Sequence, residues 1–357
     1  MQDTVEIKDG GAARNAGLRI GLALSLITGR PLRVGGLVDD SPRPRPGLGT
    51  SGLTLAVAAS AVSRGRLQAE AGSTELTLNP GGPPQPGDYH LDMAHLEPSA
   101  APFSSLLEML LLPLSMAGGT SGLILRGGSH VMGGPTSDEI SKVLLPNWRT
   151  LGLNANYREI APGFFPSGGG EAEVTVVEAG GSLGHLRAEE PFQPREVGVE
   201  VLCSNLPVHL AEQAMQGALD RLALHGLEGK GNLRRAKGGK GQALLVWAGD
   251  GQIRIGFSTL GKRGSRPEAL ALEAVEAMTH FLKSQAGLPS ALASRLLLTL
   301  ACAKGISRFT VSGPPKPLQA AMKIINAFWP GTVRLSSPRD EALLEVKVIG
   351  RDWGRVL

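Results

Sequence analysis

Residues 229–241 carry five cations and no acid: Lys230, Arg234, Arg235, Lys237 and Lys240, set among glycines. Positive charge on a flexible glycine frame suits contact with a polyanion backbone at low sequence specificity, and a solvated loop has the same composition. No aromatic residue interleaves in this run to stack on a base. Two more arginines, Arg43 and Arg45, lie in Arg43–Pro44–Arg45–Pro46–Gly47–Leu48. A guanidinium grips phosphate through two parallel hydrogen bonds, so both are candidate phosphate contacts, as is Arg19. Glycine, without a β-carbon, accepts positive φ and lets another backbone come close. Gly168, Gly169 and Gly170 end the run Gly163–Phe164–Phe165–Pro166–Ser167, and Gly127–Gly128–Ser129–His130 forms a second punctuated stretch. The cysteines, Cys203 and Cys302, stand far apart without ligand spacing, which argues against a disulfide framework and a zinc site.

The elements that must position these residues read as a repeat. Residues 14–29 place Leu18, Leu22, Leu26 and Ile27 at helical spacing and stop at Gly29 before Pro31. A strand at 32–37, a helix at 51–64 and strands near 67–71 and 75–79 follow. The pattern recurs with a helix at 106–117, a strand at 122–126, a helix at 137–151 and two strands flanking the triple glycine. It recurs again from 268 to 348. This predicts an α/β fold, in α+β layers, with a core of three repeated two-helix, four-strand units. Between 184 and 267 the order changes to strand, helix, cationic loop, strand, strand. The expected organisation is therefore a core of 1–183 and 268–357 with a small α/β domain inserted at 184–267.

Composition agrees with a globular chain. Of 357 residues, 42% are hydrophobic and 4% aromatic, so the core is built mainly of Ala, Leu and Val. The 49 Gly and 25 Pro are dispersed, which fits many short turns. The formal charge of +4 and a pI near 9.2 are compatible with a polyanionic partner. With no charged-then-apolar leader and no apolar run long enough to span a bilayer, the expected location is the cytoplasm, without membrane association.

Taken together, the stretches Gly127–Gly128–Ser129–His130, Gly134–Pro135–Thr136–Ser137–Asp138–Glu139, Leu144–Leu145–Pro146 and Gly163–Gly170 resemble the RNA 3′-terminal phosphate cyclase family. The likeness continues through Ser204–Glu212 and Thr259–Gly264 and covers nearly the whole chain. It implies a core of three units like the C-terminal domain of a translation initiation factor, with a small domain inserted before the third. It also implies an ATP-dependent reaction: a histidine takes AMP, passes it to an RNA 3′-phosphate, and the 2′-hydroxyl displaces AMP to leave a 2′,3′-cyclic phosphate. On this resemblance His130 and Gly168–Gly170 are remnants of the nucleotide pocket, and Arg19, Arg43 and Arg45 match arginines of the family.

The positions expected to react have changed. Where the family has Pro-x-x-His-Leu after a Phe-Thr-Val strand, this chain reads Pro314–Pro315–Lys316–Pro317–Leu318, so Pro317 holds the place of the nucleophile and no histidine follows His280. Gly11–Ala12–Ala13–Arg14–Asn15–Ala16 replaces a Gly-Glu-Gly-Gly-Gly-Gln segment, and Met109 stands for a glutamine. Ser294 and Arg295 replace an Asp-Gln pair, and Pro289 replaces a further acid. The expectation is a member without cyclase activity that binds RNA and serves RNA processing, with no catalytic residue, metal or cofactor of its own. A 3′-phosphate end and a protein partner are both compatible with it. The alternative is an active cyclase or other nucleotidyl or phosphoryl transferase using ATP and Mg²⁺, with Lys316 as a new nucleophile.

Overall fold

The computed structural model describes residues 3–8, 14–39, 45–96, 99–262, 264–313, 316–337 and 343–352. The first unit comprises β1 (Val5–Ile7), α1 (Arg14–Thr28), β2 (Leu32–Gly35), α2 (Thr50–Ser63), β3 (Arg66–Gln68) and β4 (Glu75–Asn79). The second comprises β5 (Asp88–Asp92), α3 (Ser104–Ser115), β6 (Ser121–Gly127), a helical segment, β7 (Ala155–Ala161) and β8 (Gly170–Val176). That segment runs through α4 (Ser137–Glu139), a π-helical turn (Ile140–Leu144) and α5 (Leu145–Thr150). There follow β9 (Arg187–Ala188), β10 (Glu196–Ser204), α6 (Val208–Leu224), β11 (Lys230–Ala236), β12 (Gly241–Gly249), β13 (Arg254–Leu260) and α7 (Pro267–Lys283). The chain closes with α8 (Ser290–Cys302), β14 (Ile306–Ser312), α9 (Lys316–Phe328), β15 (Val333–Ser336) and β16 (Leu343–Ile349).

Three of the four sheets repeat one topology. The orders are β1-β2-β4-β3, β5-β6-β8-β7 and, read from the other edge, β9-β14-β16-β15. In each, the first strand pairs parallel to the second and every other pairing is antiparallel. The fourth sheet, β11-β10-β12-β13, follows another order, with β10 parallel to β11 and antiparallel to β12. This is the three-unit α/β architecture that the repeats predict, with a fourth four-stranded sheet lying within the third unit's sequence.

Three elements fall differently from the sequence reading. Arg187–Ala188 lie within 184–267 yet pair with Arg308 and Phe309 of the third repeated sheet. Helix α7, read with the third unit, packs instead on α6, β12 and β13. Residues 230–236, read as part of a cationic loop, form edge strand β11 with a seven-residue parallel register to β10. The apolar β10 supplies that pairing; β11 itself has too little hydrophobic alternation to announce a strand.

The helices bury their apolar faces on one another. Helix α1 packs against α2, α3 and α9, and α8 against α9, so elements from all three units share one core. Helix α3 is buried on every side, as its sequence Ser104–Ser115 with a single charge allows. Among the described residues no helix is long and apolar enough to cross a membrane.

Candidate functional site

The segment between β6 and β7 builds the site. Thr136 caps α4 by accepting the Glu139 backbone N–H at 3.2 Å, and its own backbone N–H bonds back to the Glu139 carboxylate. This reciprocal pair is the capping box that Thr-x-x-Glu encodes. It fixes Asp138 and Glu139 on adjacent positions, where they face two different charge clusters.

Glu139 joins the first. The Arg19 guanidinium on α1 lies 2.6 Å from Glu108 on α3, and Arg295 on α8 reaches both Glu108 at 3.3 Å and Glu139 at 3.5 Å. The Arg19 and Glu108 side chains are only 12% and 4% exposed. Ser258 on β13 donates to Glu139 at 3.2 Å and lies 3.2 Å from Thr136 Oγ1. Burial pushes the Glu139 carboxyl above its ordinary value despite Arg295 and Ser258, and the nearby Glu108 charge adds to the rise. Burial likewise pulls the Arg19 guanidinium down, against the attraction of Glu108. Glu139, Ser258 and Arg295, but not Arg19 or Glu108, line a cleft of about 360 Å³ together with Met132, Gly134, Lys262 and Glu273.

Asp138 joins the second cluster. His130 is buried, with Nδ1 2.9 Å from Ser129 Oγ and 3.4 Å from Glu159, and Nε2 3.3 Å from Asp138. Its ring stacks on Phe164 with centroids 5.2 Å apart. Arg234 on β11 closes the cluster, reaching Asp138 at 3.0 Å and Glu159 at 2.7 Å. Burial alone raises the Asp138 carboxyl, but the hydrogen bonds and charges of His130 and Arg234 outweigh it and hold that carboxyl below its ordinary value. Beside it, Ser137 and Tyr157 share a 2.6 Å hydrogen bond, and burial raises the tyrosine. Arg234 thus ties the fourth sheet to the second unit, as do the two hydrogen bonds between Asn147 and the Arg254 backbone and the Lys142–Glu200 pair at 2.9 Å.

The residues singled out in sequence are dispersed. Arg19 and Arg234 sit inside the two clusters, engaged by carboxylates. Lys230, Arg235, Lys237 and Lys240 are exposed on β11 and the turn after it. Arg45 is exposed and its backbone N–H donates to Asp39 at 2.8 Å, whereas Arg43 and residues 9–13 lie outside the described residues. Lys316 and Pro317 are exposed and open α9. Gly168 and Gly169 adopt φ of +65° and +71°, and Gly170 begins β8 beside His130's loop. The sequence reading missed Glu108, Asp138, Glu139, Glu159 and Arg295 as site residues. Two signals were present: Glu108 is the one charge in an otherwise apolar helix, and Thr136–Glu139 spells a capping box.

Three repeated α/β sheets around a shared helical layer, a fourth sheet of other topology, and a charged cleft where they meet define a class of protein built on a triplicated scaffold. The model of the family described as RNA 3′-terminal phosphate cyclase matches residues 10–335. Curated relatives of that name are similar over most of their length. The protein of Trichormus variabilis is 32% identical over 89% of this chain and 92% of its own. That of Salmonella agona is 31% identical over 97% and 98%, and that of Archaeoglobus fulgidus 30% over 87% and 91%. The chain belongs to the RNA 3′-terminal phosphate cyclase family.

Proposed function

We propose that this chain is an RNA-binding member of the family that works without an adenylylated histidine. The observation that carries the reading is Pro317. It lies exposed in the first turn of α9, where the family resemblance puts the nucleophile, and proline offers no nucleophilic atom. The cleft supports the same reading. Of its two lining carboxylates, Glu139 and Glu273, Glu139 already faces Arg295 at 3.5 Å, so a divalent ion would have to displace that guanidinium to reach it. Among the described residues no group of three His, Cys, Asp or Glu offers another metal site. The reading assigns neither ATP nor Mg²⁺ to the chain.

RNA enters as the partner because the relatives are named for acting on RNA ends and because exposed cations remain to meet phosphate. Lys230, Arg235, Lys237 and Lys240 occur in none of the ion pairs among the described residues. The test is incubation with α-labelled ATP and Mg²⁺ or Mn²⁺, followed by denaturing separation, for the wild type and for Lys316→Ala and Pro317→His. Alongside it, binding of a 3′-phosphorylated RNA is measured at low salt, where phosphate contacts are strongest. The expected result is no label on the wild type with RNA retained. Label that disappears in Lys316→Ala would establish a rebuilt transferase instead, and absence of RNA binding would remove the RNA assignment.

A further inference from the structure

Consecutive phenylalanines in the turn after β7 differ sharply in burial. Phe164 is buried, stacked on His130 and packed with Leu202 and Ala243 of the fourth sheet. Phe165 is 81% exposed. A single exposed aromatic is unremarkable on a protein surface. Its surroundings distinguish this one. The Phe164 turn is docked on the turn between β11 and β12: Gly239 N–H donates to Pro162 O at 2.8 Å, and a β-carbon on Gly238 or Gly241 would collide with Pro162 or with the Phe164 ring.

Lys237 and Lys240 flank Gly238–Gly239 and are exposed. A third cation arrives from β13, because Ala243 pairs with Leu260 and Gly261 N–H donates to Gln242 O at 2.8 Å, which puts exposed Lys262 across from Gly241. Lys240 and Phe165 are each one residue, about 3.8 Å along the backbone, from the touching pair Gly241 and Phe164. None of the ion pairs among the described residues takes up Lys237, Lys240 or Lys262.

We infer that Phe165, with Lys237, Lys240 and Lys262 around it, is a stacking platform for single-stranded RNA. The inference rests on the RNA-binding reading above and says where and how the strand is held. An aromatic face accepts any base, and ammonium groups at its rim meet the flanking phosphates, which is the arrangement that holds single strands without reading sequence. The cationic run lacks an aromatic in sequence; the fold supplies one from a segment more than sixty residues earlier, since Phe165 precedes Lys230 by 65 positions. Duplex RNA, whose bases are stacked inside the helix, has no face to offer Phe165.

The test uses the full chain and a fluorescein-labelled oligouridylate of roughly 12 nucleotides, read by anisotropy. Phe165→Ala is expected to weaken binding roughly 5- to 140-fold, the range for one stacked base, with the salt dependence kept. Phe165→Trp keeps affinity, and its emission is quenched on saturation beyond any change in the wild type. Lys237→Ala, Lys240→Ala and Lys262→Ala each lower the slope of log affinity against log salt by about 0.7. Binding to a duplex of the same length is unchanged by Phe165→Ala. Phe165 and these lysines lie on the surface, and matched thermal melts show that the variants fold. If the wild type binds the oligonucleotide and Phe165→Ala binds it equally well, the platform is wrong while RNA binding stands, and the exposed ring is left to a protein partner. If the wild type binds no single strand even at about 50 mM salt, both readings fall.

Discussion

The Arg19 guanidinium and the Glu108 carboxylate meet at 2.6 Å between α1 and α3, with the glutamate almost wholly withdrawn from water. Glu108 is the hinge of a balanced set, two arginines and two glutamates, because Arg295 draws on it from α8 and continues to Glu139. Helices from all three units therefore converge on one buried carboxylate. Ions taken this far out of water are tolerated only in pairs.

Removing that carboxylate is expected to be costly. Glu108→Gln leaves Arg19 without its partner and Arg295 with only Glu139, so the loss should be about 3–5 kcal/mol, the range for breaking a buried ion pair. Glu139→Gln leaves Glu108 to both arginines and removes a carboxylate whose charged form burial already disfavours, so its cost should be clearly smaller. Urea denaturation at neutral pH compares the two. Equal midpoints for the two variants would mean that Glu108 does not anchor the set.

Adjacent carboxylates on α4 should titrate in opposite senses. Asp138 is held below its ordinary value of 3.8, so it contributes stability that is present above that pH and is lost as pH falls through its lower folded value. Glu139 is raised above its ordinary 4.5, so its contribution is present below that pH and is lost as pH rises through the folded value. Relative to wild type, Asp138→Asn should cost about 1–3 kcal/mol at neutral pH and progressively less in acid. The deficit of Glu139→Gln should run the other way, largest in acid and shrinking as pH climbs past 4.5. Urea midpoints measured from acid to neutral pH test both signs, and parallel curves for the two variants would contradict the opposed environments.

The strands that escaped the sequence have a common physical character. β5, β9 and β11 are parallel edge strands, each held by an apolar neighbour, β6, β14 or β10. Their residues, such as Asp88–Asp92 and Lys230–Ala236, are too polar to show a two-residue period, because an edge can face water on both sides. The elements with a buried face were legible: β8 alternates buried and exposed residues over its length, and α1 repeats its leucines on the helical period. The same division explains the site. Pro317 and the glycine turn were readable because their chemistry is local. Glu108 and Arg295 gain meaning only when α3 and α8 are brought together, and Phe165 gains its cations only from the docking of the β11–β12 turn.

The triple glycine should respond very unequally to one added methyl. At Gly169, with φ of +71°, a β-carbon would find no atom within 4 Å, so Gly169→Ala bears only the left-handed backbone penalty, about 1–2 kcal/mol. At Gly170 a β-carbon would lie 2.8 Å from the Gly127 carbonyl oxygen and 2.8 Å from the Gly163 nitrogen, both backbone atoms that cannot rotate away. Relief would require β6 and the turn to part, undoing the antiparallel register of Gly127 with Gly170 and shifting the Gly163 carbonyl that accepts the Ser129 and His130 N–H groups at 3.0 and 2.9 Å. Gly170→Ala should therefore cost more than Gly169→Ala and should loosen His130. Thermal melting gives the ranking, and amide hydrogen exchange at Ser129 and His130 gives the mechanism. Faster exchange there in Gly170→Ala, with Gly169→Ala close to wild type, is the expected pattern. Equal exchange in both variants would show that the turn does not hold the histidine loop.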